Sequence, residues 1–135
     1  MADAVTSQTI ADGERNAVMK FTNVSDGTGE SAVVKVDVSA LANNNRGVAC
    51  SEVRIMQVRF ALVGMSVQLF FDATANVLAF ELAESSNGNL EFDEFGGIPN
   101  NSGSGKTGDI LFTTIGHTSG DTYMIVLEMI KIYSD

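Results

Sequence analysis

The stretch richest in phosphate-handling residue types is Asn100-Asn101-Ser102-Gly103-Ser104-Gly105-Lys106-Thr107. In a P-loop, glycine amides cradle the phosphates, a lysine reaches the terminal ones and Ser or Thr holds magnesium. Here Asn100 stands where the first glycine belongs, and the strand-like run Gly108-Asp109-Ile110-Leu111-Phe112 follows instead of a helix. Phosphate would meet no helix N-terminus. The segment therefore reads as a solvated Gly/Ser loop between strands, and no nucleotide is expected. His117 is the only histidine and Cys50 the only cysteine, too few for a zinc set. Gly116-His117-Thr118-Ser119-Gly120-Asp121 holds the residue types of a triad, but in a Gly-flanked turn that would point them at water. A turn histidine bonded to a neighbouring loop is the expectation. Calcium is the better metal candidate, with acidic turns at Asp26-Gly27-Thr28-Gly29-Glu30 and from Asn87 to Glu94. Neither matches the EF-hand pattern, and no metal ligand is assigned. Sugar binding is disfavoured, because there is no Trp and both tyrosines, Tyr123 and Tyr133, lie in an apolar run. No catalytic residue, cofactor or small-molecule substrate is expected.

The elements around these residues read as strands. Val34, Val36 and Val38 alternate with Lys35 and Asp37, and Ala32 extends the row. Met56, Val58, Phe60 and Leu62 form a second apolar row, and Met65, Val67, Leu69 and Phe71 a third after Gly64. Period-two alternation of this kind marks half-buried strands. Asp72 to Asn76 reads as a turn before Leu78, Phe80 and Leu82. Asn87-Gly88 reads as another turn, followed by Leu90 and Phe92. Ala17 to Asn23 reads as an earlier strand. Helix signals are thin, and 13 glycines punctuate the chain. The expected fold is all-β: a single antiparallel β-sandwich, jelly-roll-like, over residues 15–135, with residues 1–14 as an N-terminal arm. Val34, Val36, Val58, Phe60, Val67, Leu69, Phe80, Ile125 and Leu127 are the expected core.

The last strand is apolar on both faces. Tyr123, Ile125, Leu127 and Met129 line one side, and Met124, Val126, Ile130 and Ile132 the other. Strands of this kind are buried on both faces, so the second face predicts a covering loop or another protein. The balance of 17 acidic against 8 basic residues, net −9, argues against binding nucleic acid or anionic membrane. The lone cysteine forms no intrachain disulfide, and no signal peptide or membrane-length apolar run is read. Synthesis in a reducing cytoplasm is the expectation.

Several stretches resemble small virion proteins encoded among the head genes of tailed bacteriophages, marine ones especially. They are residues 4–10, AVTSQTI; residues 18–30, VMKFTNVSDGTGE; residues 35–39, KVDVS; residues 64–67, GMSV; residues 95–101, FGGIPNN; and residues 105–110, GKTGDI. The resemblance spans nearly the whole chain but carries no reactive motif, so it transfers no site residues. It implies a capsid decoration, or cement, protein bound to the major capsid protein on the outside of the head. A neck or tail component is the competing role within the virion, and a β-sandwich module for a sugar or host receptor competes from outside that class. The resemblance also implies a homo-oligomer, a trimer by analogy with cement proteins at three-fold positions. Acidity suits the capsid exterior, since packaged DNA would repel it from the inside. The expected contact residues are Val5, Thr6 and Ile10 in the arm, Gly97, Ile98, Asn100 and Asn101 in the loop from Gly96 to Gly108, and Met124 and Ile130 on the final strand.

Overall fold

The computed structural model describes residues 3–133. Nine strands run in order: β1 (Ala4–Asp12), β2 (Asn16–Val24), β3 (Val33–Val36), β4 (Cys50–Val63), β5 (Ser66–Phe71), β6 (Val77–Leu82), β7 (Asn87–Glu91), β8 (Ile110–Ile115) and β9 (Thr122–Tyr133). Two 3-10 turns, Val38–Ala40 and Asp93–Phe95, are the only helical elements among the described residues. One sheet has the order β1-β2-β9-β4-β7 and the other β3-β8-β5-β6. Every neighbouring pair is antiparallel. The fold is thus an all-β sandwich of two antiparallel sheets. From β2 onward the pairs nest: β2 with β9, β3 with β8, β4 with β7 and β5 with β6.

Inward side chains of both sheets make the core. The row Met65, Val67, Leu69, Phe71 is fully buried, as its alternation predicts. Phe21 of β2 meets Phe112 of β8 edge-on at 5.2 Å, and Phe112 meets Tyr123 of β9 at 5.9 Å. These contacts lace the two sheets together. Val36, Val58, Val67, Leu69, Ile125 and Leu127 are buried as expected, and Phe60 and Phe80 pack against the core from partly buried positions.

Three expectations are corrected, each by a feature of the backbone. Residues 4–12, read as part of a separate arm, form β1 and pair with β2 from Ala4↔Val24 to Asp12↔Ala17. Val34, read as core, is 48% exposed. A bulge at Lys35 breaks the register of β3 on β8 between Val34 and Val36, so Lys35 and Val36 both turn inward. Asn87-Gly88 is no turn: it opens β7 opposite Phe60 and Ala61, and the reversal falls earlier, with Ser85 at φ 52°.

β1 also carries a bulge, at Ile10, where the register on β2 slips between Thr9 and Ala11. That slip brings Asp12 to the inward side, where its Oδ1 lies 2.5 Å from Lys131 Nζ. The same ammonium donates to the carbonyls of Gly13 (2.7 Å) and Ala42 (2.8 Å). Three donors meet three acceptors, and the Lys131 side chain is wholly buried. Burial alone would lower the Lys131 pKa, but the Asp12 carboxylate holds it above the ordinary lysine value. Removing one member of a buried pair strands the other charge. Lys131→Met is therefore expected to cost roughly 3 kcal/mol in urea denaturation; a loss below about 1 kcal/mol, as for an exposed pair, would contradict this assignment.

Candidate functional site

The outer face of the five-stranded sheet collects several of the expected contact residues. Thr6, Thr22, Met124 and Ala61 lie in one row across β1, β2, β9 and β4. The next row holds Ala4, Val24, Thr122 and Val63, with Val24 53% and Val63 59% exposed. This end of the face carries no charge. Further along, Lys20 and Arg59 flank Val126, and Arg54 stands opposite Ile130. Arg15 borders a shallow depression of about 260 Å³ that Ile130, Gln57 and Glu128 also line. Four of the chain's eight basic residues thus sit on or beside this face, with Glu52, Glu91, Asp93 and Glu128 of its 17 acidic ones. Met124, Val126, Ile130 and Ile132 are half-buried there.

β1 lies at the edge of this sheet, and Ala4–Ala11 are all exposed. No residue of that stretch is charged. Val5 sits on the inward side opposite Asn23, beyond the cover of the second sheet, and is 44% exposed. Ile10 is the bulged residue and is 54% exposed. The four-stranded sheet also has an apolar row on its outer face: Val34, Leu111, Phe70 and Leu78, one from each strand.

Of the segment Asn100–Thr107, read as a solvated loop, Asn101 and residues 103–107 are exposed, while the longer loop from Gly96 to Gly108 is anchored to its neighbours at several points. Ile98 exchanges backbone hydrogen bonds with Ile55 at 3.1 and 2.9 Å. Gly97 is buried against Met56 and the Ile55 carbonyl. Asn100 is buried too, its Oδ1 accepting from Ser102 N at 3.0 Å and Ser102 Oγ at 2.6 Å, whereas Asn101 is exposed. Gly105 packs on Thr74 and Gly108 on the Ser51 carbonyl, both with positive φ and no room for a side chain. Lys106 pairs with Glu52 at 3.2 Å, and Thr107 donates to Asp72 at 2.8 Å. The segment then enters β8, a strand, so Gly103–Thr107 does not lead into a helix.

The most elaborate polar site was not anticipated. Glu30, in the connection between β2 and β3, lies 2.5 Å from Lys35, their side chains 6% and 3% exposed. Its Oε1 also accepts from Tyr123 Oη at 2.6 Å and Asn23 Nδ2 at 3.1 Å. Thr114 Oγ1 accepts from the Glu30 amide at 2.8 Å and lies 3.1 Å from His117 Nδ1. The His117 ring rests on Gly29, where a Cβ would collide with it. The sequence predicts that His117 bonds to a neighbouring loop; its bond is to Thr114 of β8, and only its ring packs on the loop at Gly29. Burial pushes the Tyr123 phenol well above its ordinary value, and the Glu30 carboxylate that accepts its hydrogen bond pushes it further. Nothing in the sequence flags the cluster, because the bulge at Lys35 and the reach of Glu30 belong to the fold.

The cluster shares no residue with the depression on the outer face. Among the described residues no group of three or more His, Cys, Asp or Glu side chains is placed to hold a metal. No described helix is long and apolar enough to cross a membrane. Neither a protein-family model nor a curated protein matches the sequence.

The Tyr123 environment makes a pH prediction. Below about pH 10, the ordinary phenol value, folded and unfolded chains both keep this proton. Above it, the unfolded chain releases the proton while the folded one retains it, so stability falls as pH rises. Denaturation midpoints between pH 8 and 11 should show a loss of up to about 1.4 kcal/mol per pH unit above pH 10 from this group. Tyr123→Phe should flatten that slope; equal slopes in the two proteins would contradict it.

Proposed function

We propose that this chain is a non-enzymatic structural protein of a phage virion, a capsid decoration protein that binds the outside of the head and stabilises it. The observation that carries the reading is β1: a nine-residue edge strand, exposed and uncharged from Ala4 to Ala11. Natural sheet edges are usually blunted by charge, proline or shortness. The other edges here follow that pattern: β3 has four residues, β6 carries Glu81, and β7 ends in Glu91 beside Asp93 and Glu94. β1 has only its bulge at Ile10, so Ala4 to Thr9 remain a long uncharged edge. Such an edge suits a protein that spends its working life against a partner. The uncharged end of the adjoining outer face, with Val24, Val63 and Met124, extends the same surface.

Further support comes from the strand order. The nested pairing from β2 to β9 supports a jelly-roll reading, a fold common among viral shell proteins. The partner is the major capsid protein, and a trimer places several copies of β1 on one shell. Multiple contacts raise avidity by roughly 10²–10⁴ over one site. Binding the assembled head and not its dissociated subunits then stabilises the head by mass action.

The test compares heads with and without the protein. Undecorated heads should release DNA at lower temperature. Thr6→Lys together with Ser7→Lys, one on each face of β1, should weaken head binding at least tenfold while leaving the midpoint of the free protein nearly unchanged, since exposed substitutions cost within about 0.5 kcal/mol. Equal heat resistance of bare heads would remove the stabilising role. Location in the neck or tail would replace decoration with the competing virion role.

A further inference from the structure

Buried polar atoms in folded proteins nearly always have a partner, and each exception asks for a reason such as a bound ion. Among the described residues three buried side-chain atoms lack one: Asn23 Oδ1, Asp26 Oδ2 and Asn100 Nδ2. The first two are both acceptor oxygens, three residues apart, and both residues are bonded to Asp3. Asn23 Nδ2 donates to Asp3 Oδ2 at 3.1 Å, and the Asp26 amide donates to Asp3 Oδ1 at 3.1 Å. Asn23 is 1% exposed, and its Nδ2 also donates to Glu30 at 3.1 Å. Turning this amide over would set its oxygen against two carboxylates, so the oxygen is the atom left without a donor.

The charges point the same way. Glu30 is already neutralised by Lys35. Asp3 and Asp26 have no lysine or arginine partner among the described residues, although their carboxyl groups interact directly. Among the described residues Asp3 takes only neutral donors: the amides of Asp26 and Gly29, the Asn23 amide and, at 3.5 Å, Ser25 Oγ. Asp26 Oδ1 accepts from Thr28 N at 3.0 Å, which leaves Oδ2 buried and bare. Two adjoining carboxylates are tolerated when a proton or a cation sits between them. A proton held between the two carboxylates would leave the buried Asn23 oxygen bare, whereas a cation is an acceptor's partner too.

We infer that a Ca²⁺ ion binds between the Asp3 and Asp26 carboxylates and the Asn23 side-chain oxygen, fastening the start of β1 to the turn after β2. Two carboxylates balance its charge. Irregular oxygen sets of carboxylate, amide carbonyl and water suit Ca²⁺ better than Mg²⁺, which demands a near-ideal octahedron. The set uses two acidic side chains and one neutral oxygen, so it falls below the count of three acidic, His or Cys ligands considered above. The inference stands apart from the virion reading, since it concerns the isolated protein.

Tb³⁺, a luminescent stand-in for Ca²⁺, tests it through Tyr123. That phenol shares Glu30 with Asn23, whereas Tyr133 lies ten residues along β9, about 33 Å away. Excitation of tyrosine should give Tb³⁺ emission that Ca²⁺ displaces and equimolar Mg²⁺ does not. The emission should vanish in Asp26→Asn and in Tyr123→Phe. No emission, emission that survives either substitution, or displacement by Mg²⁺ as readily as by Ca²⁺ would overturn the site. Should Asp26→Asn fail to fold, the wild-type melting midpoint decides: it should rise by roughly 5 °C or more from EDTA to saturating Ca²⁺, and an unchanged midpoint would overturn the site.

Discussion

A two-sheet sandwich with no helix across its ends has two openings through which water can reach the core. In this chain each opening is closed by a buried lysine held to a carboxylate. β9 lies at the middle of its sheet, and the fully buried part of its inward row runs from Tyr123 to Lys131. At one end Tyr123 and Lys35 converge on Glu30. At the other, Lys131 gathers Asp12 and two carbonyls. A desolvated charge tolerates little misplacement, because losing one partner costs more than the intact pair contributes. These closures therefore fix register as well as keeping the core dry.

The bulge in β1 follows from that requirement. Unbroken alternation along β1 would put Asp12 on the outer face, away from Lys131; the slip at Ile10 turns it inward. Along β3, alternation from the outward Val34 turns Lys35 toward Glu30, and the slip before Val36 brings Val36 inward as well, so that lysine and core valine are buried side by side. The ion pair at the first end thus holds the short β3, and the one at the second holds β1. Without Asp12, β1 would contribute little to the core, because its other side chains are exposed.

Legibility in the sequence tracked whether alternation ran unbroken. β5 and the inward row of β9 have no bulge, and Val67, Leu69, Ile125 and Leu127 were readable as core directly. β4 slips at Met56, so Val53 and Ile55 precede the break and Val58 and Leu62 follow it on the same buried side. The row Met56, Val58, Phe60, Leu62 captured only the second half. β1 was read as an arm because a strand exposed on both faces has no apolar period, and its pairing is carried by the backbone. The anchoring of the loop from Gly96 to Gly108 is invisible in sequence for a related reason. Its anchors are glycine contacts on Thr74 and Ser51 and a backbone pair at Ile55, none of which leaves a hydrophobic pattern.

With both ends closed by the protein's own side chains, the surfaces left for a partner are the edge strand and the outer faces of the sheets. That division of labour rests on the closures being as firm as the middle of the core. Native-state hydrogen exchange along β9 measures this most directly. Amides near Tyr123 and Lys131 should exchange only with global unfolding, at the same free energy as those of Ile125 to Met129. Fast exchange at either end of β9, with protection confined to its middle, would show that the buried lysines do not seal the sandwich and would contradict the account.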